Sequence, residues 1–247
     1  MSNKEKPIIL IGKPAQKRFA KVLSQHNFEP LYLPADTRLA LPVSTHADML
    51  IFKINDTIIC NDDYFRNNSK IFDVIQQYGY NVISAKFNVS SDYPNDIALN
   101  QAVIGNFILG LESACEKQIL NSAKKYGYTY INTKQGYAKC STLVLGKDAI
   151  ISADSSIISL AQKLGIDTLK IENHNNNILL NGYNYGFIGG ASFVSNGVVY
   201  FFGNLDLLSD NKKIRSFCES HGFSTVSLDN DMLYDFGGAI VLPYIQN

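Results

Sequence analysis

At 247 residues, with 46% hydrophobic and 18% charged residues, the chain carries enough apolar material for a sizeable core. Lys+Arg and Asp+Glu both number 22, so the formal net charge is zero, which argues against DNA or another polyanion as a nonspecific partner. No apolar run approaches the ~20 residues of a membrane helix, and the N-terminal MSNKEKPIILIGK has too short an apolar stretch for a signal-peptide core.

In chain order, PIILIG (7–12) reads as a buried-type strand and Ala15 to His26 as a helix, with Phe19, Val22, Leu23 and His26 on one face. A Pro-containing connector, 34–42, follows. MLIFKI, the turn Asn55-Asp56 and TIIC then form a hairpin ahead of a helix carrying Ile71, Ile75 and Tyr78. The same order returns as QAVI, Gly105-Asn106, FILG and a helix with Cys115, Ile119, Ala123 and Tyr126. It returns again as STLVL, Gly146-Lys147-Asp148, AIIS and a helix with Ile157, Leu160, Ala161 and Leu164, for which Asp154 is an N-cap candidate. The fourth copy is ASFV, Ser195-Asn196-Gly197, VVYFF and a helix with Ile214, Phe217, Cys218 and His221. Short Gly/Asn turns between apolar runs are strong hairpin signals.

Each helix runs into one recurring junction, seen in QHNFEPLYLP (25–34), QYGYNVISAK (77–86), KYGYTYINTK (125–134), KLGIDTLKIE (163–172) and SHGFSTVSLD (220–229). A Gly, or Asn27 in the first copy, takes the left-handed position past the helix, and a branched aliphatic stands four residues on. The junction residues are 52, 48, 38 and 57 apart, a spacing that signals a repeat architecture. The fifth copy is split: GAIVLPYI (238–245) lacks a second strand, helix and closing strand, which residues 7–33 supply. The expected fold is an α/β, five-fold pseudosymmetric propeller of hairpin–helix–strand units, one domain over 1–247. Its repeats span about 43–86, 93–134, 135–172, 178–229 and 231–247 plus 1–34, and the N-terminal strand and helix complete the last one.

This layout, with YPNDIALN (93–100), QGYAKC (135–140), YGFIGGAS (185–192) and DFGGAI (235–240), resembles the pentein, or guanidino-group-modifying-enzyme, fold, and in particular a bacterial family of that fold whose activity is not known. The resemblance implies a Cys attacking an amidine-like carbon, a His moving protons and carboxylates gripping a guanidinium. It places the Cys in the last repeat and the His in the one before. Here the last repeat, DMLYDFGGAIVLPYIQN, has no Cys, with Val241 near the aligned position, and LNGYNYGF has no His. The fold also has a noncatalytic, ribosome-associated member, so a pentein layout does not by itself imply an enzyme.

The residues leading into each first strand are expected to face a central channel: His46 and Asp48; Asp96 and Asn100; Gln135, Lys139 and Cys140; Asn181, Tyr183 and Tyr185; and Asp235. Cys140 is the one cysteine among them, which makes it a candidate nucleophile with His46 as its base, and Asp96 or Asp235 as the grip on a cation. The alternatives are a small core residue for Cys140, a hydrogen-bonded rim for His46 and backbone-satisfying turns for Asp96 and Asp235. Cys60, Cys115 and Cys218 read as packing, His26 and His221 as helix-end residues, and His174, in NHNNN, as a solvated loop. Cysteines 60, 115, 140 and 218 lie too far apart for a zinc motif or a disulfide framework, which suits a reduced cytoplasmic protein with no metal or cofactor. GFIGG (186–190) precedes a strand and lacks the dinucleotide-binding spacing.

Three functions fit. One is binding of a small polar or cationic metabolite in the channel without the usual catalytic pair. The others are an amidine- or guanidino-acting enzyme using Cys140, and a macromolecular module of the ribosome-binding type.

Overall fold

The computed structural model describes residues 6–172 and 178–245. His174 therefore lies outside the described residues.

The chain opens with strand β1 (Ile8–Gly12), helix α1 (Gln16–Gln25) and strand β2 (Glu29–Leu33). A one-turn helix α2 (Ala47–Leu50) leads into β3 (Ile51–Ile54) and β4 (Thr57–Asn61), followed by α3 (Asp62–Asn67), α4 (Ser69–Gln77) and β5 (Asn81–Ala85). Next come β6 (Ala102–Ile104), β7 (Phe107–Gly110), α5 (Lys117–Tyr126) and β8 (Thr129–Asn132). A second one-turn helix, α6 (Ala138–Ser141), precedes β9 (Thr142–Leu145), β10 (Ala149–Ser152), α7 (Ser155–Lys163) and β11 (Asp167–Lys170). Strands β12 (Ser192–Ser195) and β13 (Val198–Phe201), helix α8 (Asn211–Ser220), and strands β14 (Ser224–Ser227) and β15 (Ile240–Leu242) complete the order.

These strands form five three-stranded sheets, which fits a pseudo-five-fold repeat. In the four continuous copies the first strand pairs antiparallel with the second, and the third pairs parallel with the second after the helical crossover. The fifth sheet is assembled from both ends of the chain: β1 pairs antiparallel with β15, Ile9 opposite Val241, and parallel with β2. All five junction residues have positive φ, from 65° at Asn27 to 89° at Gly79, as a left-handed helix stop requires.

The main departures from the sequence reading lie ahead of the first strands. Ala47–Leu50 and Ala138–Ser141 are helical turns, so the first strands start later than MLIFKI and STLVL suggest. For Ala138–Ser141 the physical reason is capping from elsewhere in the chain: Asn100 Oδ1 accepts the Lys139 and Cys140 N–H groups at 2.9 and 3.2 Å, an interaction no local pattern shows. Helix α3 was also unforeseen; its N-cap is Asn61, whose side chain accepts the Asp63 N–H. Cys115 falls just before α5, packed against the core it was expected to join.

Helices lay their apolar faces on the sheets. Phe19 and Leu23 of α1 are fully buried in a cluster with Phe28, Phe193 and Phe202, which ties the split repeat to the fourth one. Phe193 stacks on Tyr200 at 4.8 Å, and each such buried ring contributes roughly 1.5–3 kcal/mol. His26 meets the Tyr200 ring edge-on, while His221 Nδ1 lies 2.8 Å from the Phe217 carbonyl and its Nε2 3.2 Å from Asp167. Both histidines end their helices in structural positions.

Candidate active site

The segments ahead of the first strands converge on one buried cluster. Helix α2 brings His46, its N-cap residue, and Asp48; α6 brings Lys139 and Cys140; the loop before β6 brings Asn100; and the loop before β15 brings Asp235. His46, Asp48, Asn100, Cys140 and Asp235 are each less than 5% exposed.

The Cys140 thiol donates to Asp48 Oδ2 at 2.9 Å and receives the Asn100 amide N–H at 3.0 Å. Asn100 thus holds both the backbone and the sulfur of Cys140. Asp235 is fixed by the backbone N–H groups of Phe187 (2.8 Å) and Gly237 (2.9 Å). Its Oδ1 stands 3.7 Å from His46 Nδ1, too far for a hydrogen bond. His46 Nδ1 and Asp48 Oδ1 have no hydrogen-bond partner among the described residues.

Close backbone approach makes this packing feasible. A Cβ on Gly190 would lie 1.9 Å from Asp235 Oδ1, and one on Gly237 would lie 2.2 Å from His46 Cβ. Gly186 and Gly190 of GFIGG therefore make room for Asp235, and Gly189 for the backbone of α6.

Burial dominates the electrostatics. It pushes the Cys140 thiol well above its ordinary value, with the nearby Asp48 and Asp235 charges adding to the effect and the Asn100 amide opposing it. Burial likewise raises the Asp48 carboxyl to about 7, against the favourable charge of Lys139. His46 is held below its ordinary value by burial, with Asp235 pulling the other way. Near neutral pH the cluster therefore holds a protonated thiol, a neutral imidazole and a carboxyl close to its midpoint, with carboxylate oxygens left to satisfy.

Two cavities flank the cluster. The first, of 240 Å³, has Cys140, His46 and Asp235 at its floor and Tyr137, Tyr183 and Phe187 among its walls. The second, of 460 Å³, is lined by residues of all five first strands and is reached by Asp48 and Lys139. Lys139 and Cys140, adjacent in the chain, thus serve opposite cavities.

Of the sequence candidates, His46, Asp48, Asn100, Lys139, Cys140 and Asp235 are brought together, with Tyr183 and Tyr185 at the mouth of the thiol cavity. Asp96 stands one residue back and accepts the Tyr137 hydroxyl at 2.5 Å. Gln135 is drawn away. Its amide bonds Asp154 at 2.9 Å, the N-cap of α7, and it lines a different cavity. Asn181 is exposed, and its backbone N–H meets Tyr234 Oη at 3.4 Å. Val43, Met49, Tyr137 and Leu180 were missed as lining residues, since apolar side chains of this kind read as core in a linear sequence. The sequence shows no clustered metal donors, but folding brings His46, Asp48 and Cys140 together, with nitrogen, oxygen and sulfur atoms within 4.8 Å of one another. That donor set is one zinc accepts, and folding alone assembles it.

The fold is the pentein fold of guanidino-modifying enzymes. Dimethylarginine dimethylaminohydrolase from Pseudomonas aeruginosa, in complex with citrulline, superposes with a TM-score of 0.54 at 14% identity, over 91% of this chain and 92% of that one. Inosamine-phosphate amidinotransferase from Streptomyces griseus gives 0.61 at 12% identity, over 99% and 95%. Agmatine deiminase from C. jejuni gives 0.57 at 9% identity, over 98% and 94%. The chain belongs to DUF6873, a family of unknown function whose model matches residues 10–240. No curated protein matches it by sequence.

Proposed function

We propose that this protein binds a small guanidinium or amidinium cation at the floor of the 240 Å³ cavity and attacks its central carbon with Cys140. The observation that carries this reading is the Cys140 thiol 2.9 Å from Asp48, at the floor of a cavity whose other floor groups are His46 and Asp235. The neighbouring folds named above belong to enzymes of guanidino and amidino groups, which favours the same substrate class.

The chemistry follows from the charges. A cation beside Asp48 and Asp235 offsets the two charges that disfavour the thiolate. Asp48, poised at about 7, takes the thiol proton. Sulfur bonds to the amidinium carbon as the C=N pair collapses onto nitrogen. That pair then re-forms C=N as the C–N bond to the departing amine breaks, the amine taking the same proton relayed by His46, and water or a second amine adds to the carbon and expels the sulfur. In this reading the third repeat supplies the nucleophile that the resemblance places in the fifth, and the fifth supplies a carboxylate.

The protonated resting thiol favours one second reading, in which the cation is bound without turnover. The five sheets would close into a ring around the 460 Å³ cavity, forming one domain over 1–247. Four free cysteines suit a reducing, cytoplasmic setting. Among the described residues no helix is long and apolar enough to cross a membrane.

The test compares 2-chloroacetamidine, a cation, with its neutral isostere 2-chloroacetamide, mapping alkylation to each cysteine by mass spectrometry. Cys140 should react preferentially with the cation, and a panel of guanidines should release ammonia or amine in a Cys140-dependent way. Equal labelling by both reagents at Cys140 overturns the proposal. Preferential labelling with no product from any guanidine selects the binding reading.

A further inference from the structure

We propose that the ligand of the thiol cavity is a guanidinium or amidinium cation whose far end is uncharged and apolar, and that amino-acid-like guanidines bearing a carboxylate are rejected. This rests on the reading of the site given above and deepens it.

The cavity is polarised along its depth. Its floor presents acceptors: Asp235, fixed by two backbone N–H groups, and His46, whose Nδ1 has no partner among the described residues; the Asp48 carboxyl lies behind Cys140 and adds negative charge without lining the cavity. A planar cation carrying several N–H donors matches that floor.

Above it the walls turn apolar. Val43, Met49 and Leu180 form one side. The other is aromatic, with Tyr137 and Phe187 stacked at 6.3 Å and Tyr185 edge-on to Phe187 at 5.8 Å. The Tyr137 hydroxyl is committed to Asp96. At the mouth, Tyr183 and Tyr185 are 48% and 37% exposed, a large aromatic surface that an alkyl or aryl tail would cover.

No Lys or Arg is among the described residues lining this cavity. Lys139 faces the other one, and Arg38 is engaged by Asp36 and Asp63. A ligand carboxylate drawn into this cavity would therefore lack a counter-ion, over a floor that already holds a carboxylate. Unpaired buried charge and like-charge juxtaposition both oppose that arrangement.

The experiment is protection of Cys140 from 2-chloroacetamidine, using n-butylguanidine and 4-guanidinobutanoate as competitors that differ in the tail charge. The half-protecting concentration of n-butylguanidine should be on the order of 100-fold lower. In a Tyr183→Arg variant, placed at the exposed mouth, 4-guanidinobutanoate should gain relative to n-butylguanidine. The inference is overturned if the two compounds protect equally, if the carboxylate protects better, or if neither protects while chloroacetamidine still outpaces chloroacetamide at Cys140. If chloroacetamidine shows no preference for Cys140 over the neutral reagent, the underlying reading falls as well.

Discussion

Asp48 should make the folded state progressively less stable as pH rises, and Asp48→Asn should remove that dependence. The Asp48 carboxyl is raised from 3.8 to about 7, chiefly by burial. A carboxyl whose folded pKa exceeds its unfolded one binds its proton more tightly in the native state. Its contribution is therefore nil below pH 4, turns against folding between pH 4 and 7, and is constant above. At about 1.4 kcal/mol per pKa unit, the accumulated cost is about 4 kcal/mol at pH 8. The asparagine keeps an acceptor for the Cys140 thiol but turns an NH₂ toward a site where Asp48 Oδ1 has no partner. That leaves an unsatisfied donor costing about 1–3 kcal/mol at every pH. The two stability curves should cross: the variant is weaker than wild type at pH 4 and stronger at pH 8, with their difference changing by about 4 kcal/mol. Urea denaturation at pH 4, 5, 6, 7 and 8, with extrapolation to zero urea, measures it. A difference that stays constant across this range would show that the carboxyl is not held protonated, and the electrostatic account of the cluster would fail with it.

Gly190→Ala should destabilise the fold by about 1–3 kcal/mol in the same assay, because its Cβ would stand 1.9 Å from the Asp235 carboxylate that Phe187 and Gly237 hold. Wild-type stability with unchanged Cys140 labelling would show that Asp235 moves aside freely. Asp154→Ala should cost about 1 kcal/mol, since Asp154 Oδ1 accepts the Ser156 and Ile157 N–H groups at 2.8 and 2.9 Å. Burial alone would raise the Asp154 pKa, but the bonds from Ser156, Ile157 and Gln135 outweigh it and depress it. Its stabilisation is thus present above the ordinary carboxylate range and lost as pH falls through the folded value; a penalty that persists undiminished at pH 2 would contradict this.

The cluster has the makings of a site held at the expense of stability. Asp48 and Cys140 sit where burial opposes their charged forms, and two of the cluster's buried polar atoms, His46 Nδ1 and Asp48 Oδ1, lack partners among the described residues. A core selected for stability alone would fill such positions with apolar side chains. A ligand bound as proposed above would complete part of this unmet hydrogen-bonding capacity.

The repeat was legible in the sequence because its signals are local. A left-handed stop after each helix, short Gly/Asn turns and apolar runs of strand length act within a few residues, and all five stops carry the positive φ their residue types imply. The split repeat was legible for the same reason, since GAIVLPYI matches the other first strands and 7–33 match the rest. Candidates such as His46, Cys140 and Asp235 could be named because each precedes a first strand. What the sequence could not decide was which of them meet. Asn100 reaches across 40 residues to hold Cys140, and Asp48 across 92 to accept its thiol proton. Gln135, placed as favourably in the chain, is instead claimed by a helix cap. Such choices depend on side-chain directions and on how close two backbones pass at Gly190 and Gly237. Tertiary packing alone fixes those quantities, because the energies that select them belong to contacts between repeats.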